Sequence, residues 1–281
     1  MKRIGILGYP LSHSISPEFQ QAALDHHEIK ATFHRWEVTA DDLNSFFETI
    51  RDSNFIGASV TIPYKEKCLD LVDEITESAR LIGAINCIVN RDNVLVGHNT
   101  DGSGFIRALK TKYGFEPSGK KVLIIGAGGA AKAIAYSLIQ EGISQLTIAN
   151  RTITRAEELA QRLERNGLKI NSIKLDKQTL VAPLSNVDLI VNTTSIGMKN
   201  GPDPQHSPIP PDLIPQNAII NDIVYNPIET PLITAAKLKQ APTIGGLDML
   251  VYQGVEAFEL WTKTLAPETI MYDAAQKALR S

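Results

Sequence analysis

Gly126-Ala127-Gly128-Gly129-Ala130-Ala131 follows the apolar run Lys121-Val122-Leu123-Ile124-Ile125 and opens the helical pattern Ala130 to Gln140. The spacing is GxGxxA. Gly126 allows a tight turn, Gly128 the close approach of a pyrophosphate, and Ala131 tight packing of a helix whose N-terminus faces the phosphates. A merely structural glycine turn competes with this reading, and the strand-turn-helix-strand setting favours the dinucleotide. The next strand-like run, Leu146 to Ala149, ends in Asn150-Arg151-Thr152 with Arg155 one helical turn on. A bare ribose 2'-hydroxyl usually meets a carboxylate there, and none is present. Guanidinium groups suit a 2'-phosphate, so the sequence favours NADP over NAD.

A second concentration of polar groups leaves the first strand: Gly8-Tyr9-Pro10-Leu11-Ser12-His13-Ser14-Ile15-Ser16-Pro17. Ser16 before Pro17 has the pattern of a helix N-cap. The hydroxyls of such a turn can equally hold a carboxylate beside a helix N-terminus, and both readings stand. Lys65 follows a strand and a proline and by itself reads as a solvated charge, while Asp101 before Gly102 reads as the cap of the next helix.

The elements that must carry these residues are α/β. Arg3 to Gly8, Thr32 to Val38 and Ala58 to Ile62 are strand-like, separated by helical patterns over Pro17 to Ile29 and Asp41 to Arg51. Ile85 to Asn90 and Val94 to Asn99, joined by three residues, predict an antiparallel hairpin and hence a mixed first sheet. After a helix from Gly102 to Tyr113, strands at Lys121 to Ile125, Leu146 to Ala149, Leu189 to Val191 and Ile219 to Val224 predict a parallel Rossmann-type sheet. Asp248 to Leu265 and Pro267 to Leu279 close the chain as amphipathic helices, and Lys199 to Pro215 is a long irregular segment. At 281 residues two domains are expected. A net charge of -3 with dispersed Lys and Arg argues against nucleic acid. The N-terminal apolar stretch is too short for a signal peptide or membrane span, so a cytoplasmic protein is expected. Cys68 and Cys87 lack metal-ligand spacing and read as two reduced thiols, with no metal site.

The serine-rich turn, Val60-Thr61-Ile62-Pro63-Tyr64-Lys65, Gly83-Ala84-Ile85-Asn86 and Asn99-Thr100-Asp101-Gly102 stand in the order and spacing of the shikimate dehydrogenase family. The resemblance continues through the glycine fingerprint, Asn150-Arg151-Thr152, Asn192-Thr193-Thr194-Ser195-Ile196-Gly197-Met198, Asp222 to Pro227, Gly246 to Leu250 and Gln253-Gly254, covering nearly the whole chain. It implies a substrate-binding catalytic domain at 1–101, an NADP-binding Rossmann domain at 102–244, helices at 245–281 returning to the substrate domain, and an active site in the cleft between domains. The implied activity is an oxidoreductase acting on a CH-OH group: reversible NADPH-dependent reduction of 3-dehydroshikimate to shikimate, in the chorismate route to aromatic amino acids. Lys65 and Asp101 would be catalytic. Ser14 and Ser16 would hold the substrate carboxylate, Asn86 and Gln253 the ring hydroxyls, and Thr61 and Tyr225 would enclose the ring. NADP would contact Gly126, Gly128, Gly129, Ala130, Asn150, Arg151, Thr152, Arg155, Thr193, Ser195, Gly246 and Met249.

Three positions depart from the family pattern: Gln20-Gln21 where His-Asn is common, Ser59 where Asn is common, and Cys87 where Thr is common. The alternatives are a quinate/shikimate dehydrogenase and a non-catalytic relative that senses ligand, which would not need both Lys65 and Asp101. The expected partner is a small-molecule substrate, and a homodimer stays open.

Overall fold

The computed structural model describes residues 2–12, 14–164 and 167–280, so His13 of the serine-rich turn lies outside the described residues. The chain divides into two compact units, Met1–Gly104 with Val251–Ser281, and Phe105–Leu250.

The first unit runs β1 (Lys2–Gly8), α1 (Ser16–His26), β2 (Ala31–Glu37), α2 (Leu43–Thr49), β3 (Phe55–Val60), β4 (Glu74–Ile75), α3 (Glu77–Ile82), β5 (Cys87–Arg91) and β6 (Val94–His98). The sheet order is β2-β1-β3-β5-β6-β4. β1 pairs in parallel with β2 and β3, whereas β5 runs antiparallel to β3 and β6, which makes the sheet mixed as expected. Leu7, Phe47, Val60, Tyr64, Ile85 and Ile88 form much of its core, and the Tyr64 hydroxyl donates to the Val38 carbonyl at 2.7 Å. Cys68 and Cys87 are free, buried thiols, with Cys68 pushed up to about 12 by burial.

Helix α4 (Asp101–Tyr113) carries the chain across the boundary between units. There follow β7 (Lys121–Ile125), α5 (Gly129–Gln140), β8 (Gln145–Asn150), α6 (Ile153–Leu163), β9 (Lys169–Lys174), α7 (Lys177–Leu184), β10 (Leu189–Asn192), β11 (Ile219–Asp222), α8 (Pro231–Leu238) and β12 (Thr243–Ile244). All neighbours are parallel, in the order β12-β11-β10-β7-β8-β9. Counted from β7 this is the doubly wound order of a Rossmann sheet. Helices cover both faces, so β7 alternates between two cores: Val122 and Ile124 pack with Ile134, Leu138 and Ile148, while Leu123 and Ile125 pack with Ile190, Ile220 and Leu232. That is why β7 reads as an unbroken apolar run. The chain ends in α9 (Leu247–Thr262) and α10 (Glu268–Arg280).

Three strands escaped the sequence pattern. β4 and β12 have two residues each, and β9, Lys-Ile-Asn-Ser-Ile-Lys, is an edge strand without a buried residue. One cap expectation is corrected. Ser16 is the first residue of α1 rather than its N-cap, which is Ile15 with no side-chain cap bond; instead the Ser14 Oγ accepts from the Ser16 N–H at 3.3 Å. Pro17 then fixes the first turn and has no N–H that would need a cap acceptor. Thr230, by contrast, caps α8 by accepting from the Ile233 N–H at 3.2 Å. Ser16→Ala should therefore cost less than about 0.5 kcal/mol, and Thr230→Ala about 1 to 3 kcal/mol because its hydroxyl also donates to a carboxylate. Urea unfolding midpoints compare the two; equal losses would restore Ser16 as a cap.

Candidate active site

In the first unit the sequence order of strands reverses at β1, with β2 on one side and β3 on the other. Such a reversal leaves the carboxyl ends of its two strands open to a ligand, because their connections leave in opposite directions. The turns carrying Ser14, Ser16, Thr61 and Lys65 leave these two ends. Tyr9 N–H donates to the Ile62 carbonyl at 3.1 Å and Thr61 N–H to the Leu7 carbonyl at 2.9 Å, so the two turns are tied side by side. Arg35 holds the Ser14 carbonyl at 2.9 Å.

Lys65 lies next to Asp101: Nζ to Oδ2 is 2.5 Å, with the lysine side chain 18% and the aspartate side chain 5% exposed. The solvated-lysine and helix-cap readings both fall on this contact. A carboxylate so far from water needs further donors. Asn86, itself buried, supplies one: its Nδ2 reaches Asp101 Oδ1 at 2.9 Å. The amide cannot turn over, because its Oδ1 accepts the Thr100 N–H at 2.7 Å. Its Nδ2 also faces Thr100 Oγ1 at 3.0 Å and Gln253 Oε1 at 3.3 Å. The backbone places this amide by donating Val60 N–H to the Asn86 carbonyl at 2.7 Å and Asn86 N–H to the His98 carbonyl at 3.0 Å, while Ile85 N–H holds the Lys65 carbonyl at 2.8 Å. Lys65, Asn86, Asp101 and Gln253 thus meet in one network; Ser14, Ser16 and Thr61 are not part of it. Of the ammonium's three protons one serves Asp101, leaving two to aim at a ligand oxygen.

Two of the three departures from the family pattern are neighbours. Ser59 and Cys87 are register partners across β3 and β5, and Cys87 is partnered on its other side by His98. Burial lowers the His98 pKa to about 4 and pushes the Cys87 thiol up. Gln20 donates to the Gly254 carbonyl at 2.8 Å and Gln21 accepts the Phe33 N–H at 2.8 Å, both packing roles.

In the second unit the strand order reverses between β7 and β10. Gly126, at the end of β7, has φ +112°, and a Cβ there would sit 2.4 Å from Thr193 Oγ1 at the end of β10. Thr193 donates that hydroxyl to the Ile125 carbonyl at 2.7 Å. Gly128 caps α5 with extended backbone, and a Cβ there would meet nothing within 4 Å. Its side is open for a pyrophosphate, whereas Gly129 and Ala130 begin the helix and Ala131 is fully buried. Asn150 Nδ2 closes a turn on the Thr152 carbonyl at 2.8 Å. Arg151 and Arg155 are exposed, with no ion pair to either among the described residues. Arg151 directly follows β8 and Arg155 lies in the first turn of α6. Gly246 lies where a Cβ would strike the Ile223 carbonyl at 2.2 Å, and Met249 is 8% exposed in the unit's core. Ser195 accepts Met198 N–H at 3.2 Å in the β10 turn, and Tyr225 is half-buried after β11.

Sequence reasoning missed what supports that turn. Asp222 is fully buried at the end of β11, accepting from Asn192 Nδ2 at 2.9 Å, Val224 N–H at 3.1 Å and Thr230 Oγ1 at 2.7 Å. Asn192 in turn accepts from Thr194 Oγ1 at 2.7 Å. The only local signal was Thr230 before Pro231, a helix start.

A shikimate dehydrogenase substrate binding domain model matches residues 6–88, a shikimate / quinate 5-dehydrogenase model residues 108–199, and a shikimate 5'-dehydrogenase C-terminal domain model residues 246–276. The shikimate dehydrogenase (NADP(+)) of Methanopyrus kandleri is 39% identical over 279 residues, covering 99% of this chain and 96% of its own. The chain belongs to the shikimate dehydrogenase family. Its fold superposes on the Thermus thermophilus shikimate 5-dehydrogenase crystallised with NADP(H) and shikimate at a TM-score of 0.87, with 34% identity and 99% and 100% of the two chains covered. The Corynebacterium glutamicum quinate dehydrogenase crystallised with NAD gives a TM-score of 0.88 at 27% identity, covering 98% and 99%. No described helix of this family member is long and apolar enough to cross a membrane.

Burial raises the Asp222 pKa from 3.8 to about 6 against its three donors. Because the folded value lies above the unfolded one, this group's contribution to stability is fully present below about pH 3.8 and lost as pH rises through about 6. Relative to Asp222→Asn, the wild type should lose on the order of 2 kcal/mol between pH 4 and pH 7. Urea denaturation of both proteins across that range measures the difference; a pH-independent difference would show that Asp222 does not titrate there.

Proposed function

We propose that this chain catalyses the reversible reduction of 3-dehydroshikimate to shikimate with NADPH. The observation that carries the proposal is the Lys65–Asp101 pair, drawn out of water and held by Asn86, whose amide also donates to Gln253. Family membership over nearly the whole chain supports the substrate class. NADPH, when bound, supplies the hydride to the ketone carbon. As negative charge grows on the ketone oxygen, Lys65 Nζ donates a proton to it, and Asp101 Oδ2 keeps the ammonium aimed. Ser14 and Ser16 hold the substrate carboxylate, Asn86 and Gln253 orient the ring hydroxyls, and Thr61 and Tyr225 enclose the ring. Gly126, Gly128, Gly129, Ala130 and the β10 turn with Thr193 and Ser195 would hold the pyrophosphate side of NADP. Asn150, Arg151, Thr152 and Arg155 would hold the 2'-phosphate end, and Gly246 and Met249 the nicotinamide end. The domain division at residues 101 and 244, a cytoplasmic site of action and a homodimer belong to the same proposal.

Lys65→Met keeps the length of the side chain and deletes its proton. With shikimate and NADP+ its kcat should fall roughly 10²- to 10⁴-fold with little change in KM. A near-normal kcat with a large rise in KM would make Lys65 a binding residue and sink the mechanism.

Quinate as an additional substrate is favoured by the likeness to the Corynebacterium glutamicum enzyme, but that protein was crystallised with NAD, and two unpaired arginines stand here at the 2'-phosphate end. Initial rates of shikimate and quinate, each with NADP+ and NAD+, decide between them, and shikimate with NADP+ should be fastest. In the same assay Arg151→Ala should weaken NADP+ about 10- to 150-fold and leave NAD+ nearly unchanged. Equal losses for both cofactors would remove Arg151 from phosphate recognition.

A further inference from the structure

We infer that Gly104 and Thr100 are positioning residues for the substrate side of this site, seating Gln253 so that its side chain reaches Asn86. The inference rests on the function proposed above and names residues to which no role has been given. Thr100 and Gly104 are one helical turn apart, joined by the Gly104 N–H to Thr100 carbonyl bond at 3.0 Å. Both face Gln253 of α9. Thr100 Oγ1 donates to the Gln253 carbonyl at 3.0 Å. A Cβ at Gly104 would lie 2.5 Å from the Gln253 nitrogen and 2.8 Å from its Cα. Those are backbone atoms, which cannot swing aside as the end of a side chain does.

The helix has no room to retreat. On its other side Gln20 Nε2 donates to the Gly254 carbonyl at 2.8 Å, and Phe19 lies so close that a Cβ at Gly254 would be 2.5 Å from its ring. Ser103 Oγ, between Thr100 and Gly104, is bonded to Glu256 a turn further along. Residues 253 and 254 are therefore gripped from both flanks, and the missing Cβ at 104 sets the depth at which they sit. At that depth Gln253 Oε1 comes to 3.3 Å from Asn86 Nδ2, the group that also holds Asp101. A longer bond of this kind is lost on a shift of a few tenths of an ångström. Thr100 acts on both partners, since its N–H and its hydroxyl meet the Asn86 amide while the hydroxyl also donates to the Gln253 carbonyl.

The experiment measures kcat and KM for shikimate, the NADP+ dissociation constant by protein fluorescence, and the urea midpoint. The proteins are wild type, Gly104→Ala, Thr100→Val, Thr100→Ser and Gly5→Ala. Gly5→Ala is the packing control, since its Cβ would crowd the His34 carbonyl at 2.6 Å in the β1–β2 ladder. Gly104→Ala should raise the shikimate KM at least about tenfold, with NADP+ affinity within about twofold of wild type. Thr100→Val should raise it about three- to tenfold and Thr100→Ser should restore it, a pair that decides the matter even where Gly104→Ala does not fold. In a Gln253→Ala background Gly104→Ala should add less than about twofold, because both act through one contact. A folded Gly104→Ala with wild-type KM overturns the inference, as do a loss no larger than that of Gly5→Ala at matched stability and full additivity with Gln253→Ala. A wild type inert toward shikimate overturns the functional proposal and this inference together, whereas an active wild type with unaffected variants overturns this inference alone.

Discussion

Placing a lysine ammonium against an aspartate carboxylate away from water costs desolvation free energy that the pair's own attraction barely returns. The pair is stable only if the remaining lone pairs and protons are satisfied in fixed directions. In this protein that requirement falls on four parts of the first unit. The turn after β3 brings Lys65, the segment before β5 brings Asn86, the first turn of α4 brings Asp101 and Thr100, and α9 brings Gln253. None of these segments could drift without stranding a buried polar atom. Among the described residues, Asp101 is the ion-pair partner of Lys65, and two protons of the ammonium have no place in that contact.

The two units solve the placement of a ligand by the same topological means. In each, a parallel strand has neighbours on either side whose connections leave in opposite directions, and chemistry-bearing residues collect at the carboxyl ends flanking that point. The second unit adds a buried carboxylate, Asp222, that binds the ends of β10 and β11 and the start of α8 into one piece. Both units thus use an aspartate as a fastener. One sits beside a cation, and the other is surrounded by neutral donors, with burial driving its pKa up.

Much of this was legible because it is local. β7 is apolar on both faces, Gly126 and Gly128 punctuate a strand and a helix, and the β5–β6 hairpin turns on the two residues Asp92 and Asn93; each is decided within about ten residues. What escaped was decided by distant partners or by the absence of burial. β9, at the sheet edge, places Ile170 and Ile173 on opposite faces with Asn171 and Ser172 between them and shows no contrast between faces. The capping role ascribed to Ser16 failed because a serine two residues earlier takes its N–H. Asn86 and Gln253 meet across 167 residues, and no pattern of spacing announces that. The family resemblance supplied those roles where periodicity could not.

Gly126 and Thr193 occupy one small volume from opposite sides: the missing Cβ of one is the space filled by the hydroxyl of the other. The two codons are 67 positions apart, yet a Cβ at Gly126 meets both the Thr193 hydroxyl and an unfavourable φ of +112°, and shrinking Thr193 removes one of the two hydrogen bonds that the carbonyl at the end of β7 accepts. Mutational drift therefore has no single-step path through this corner of the fold. A lineage that remodels its nucleotide turn must change both positions together or neither, so the pair should travel as one inherited character.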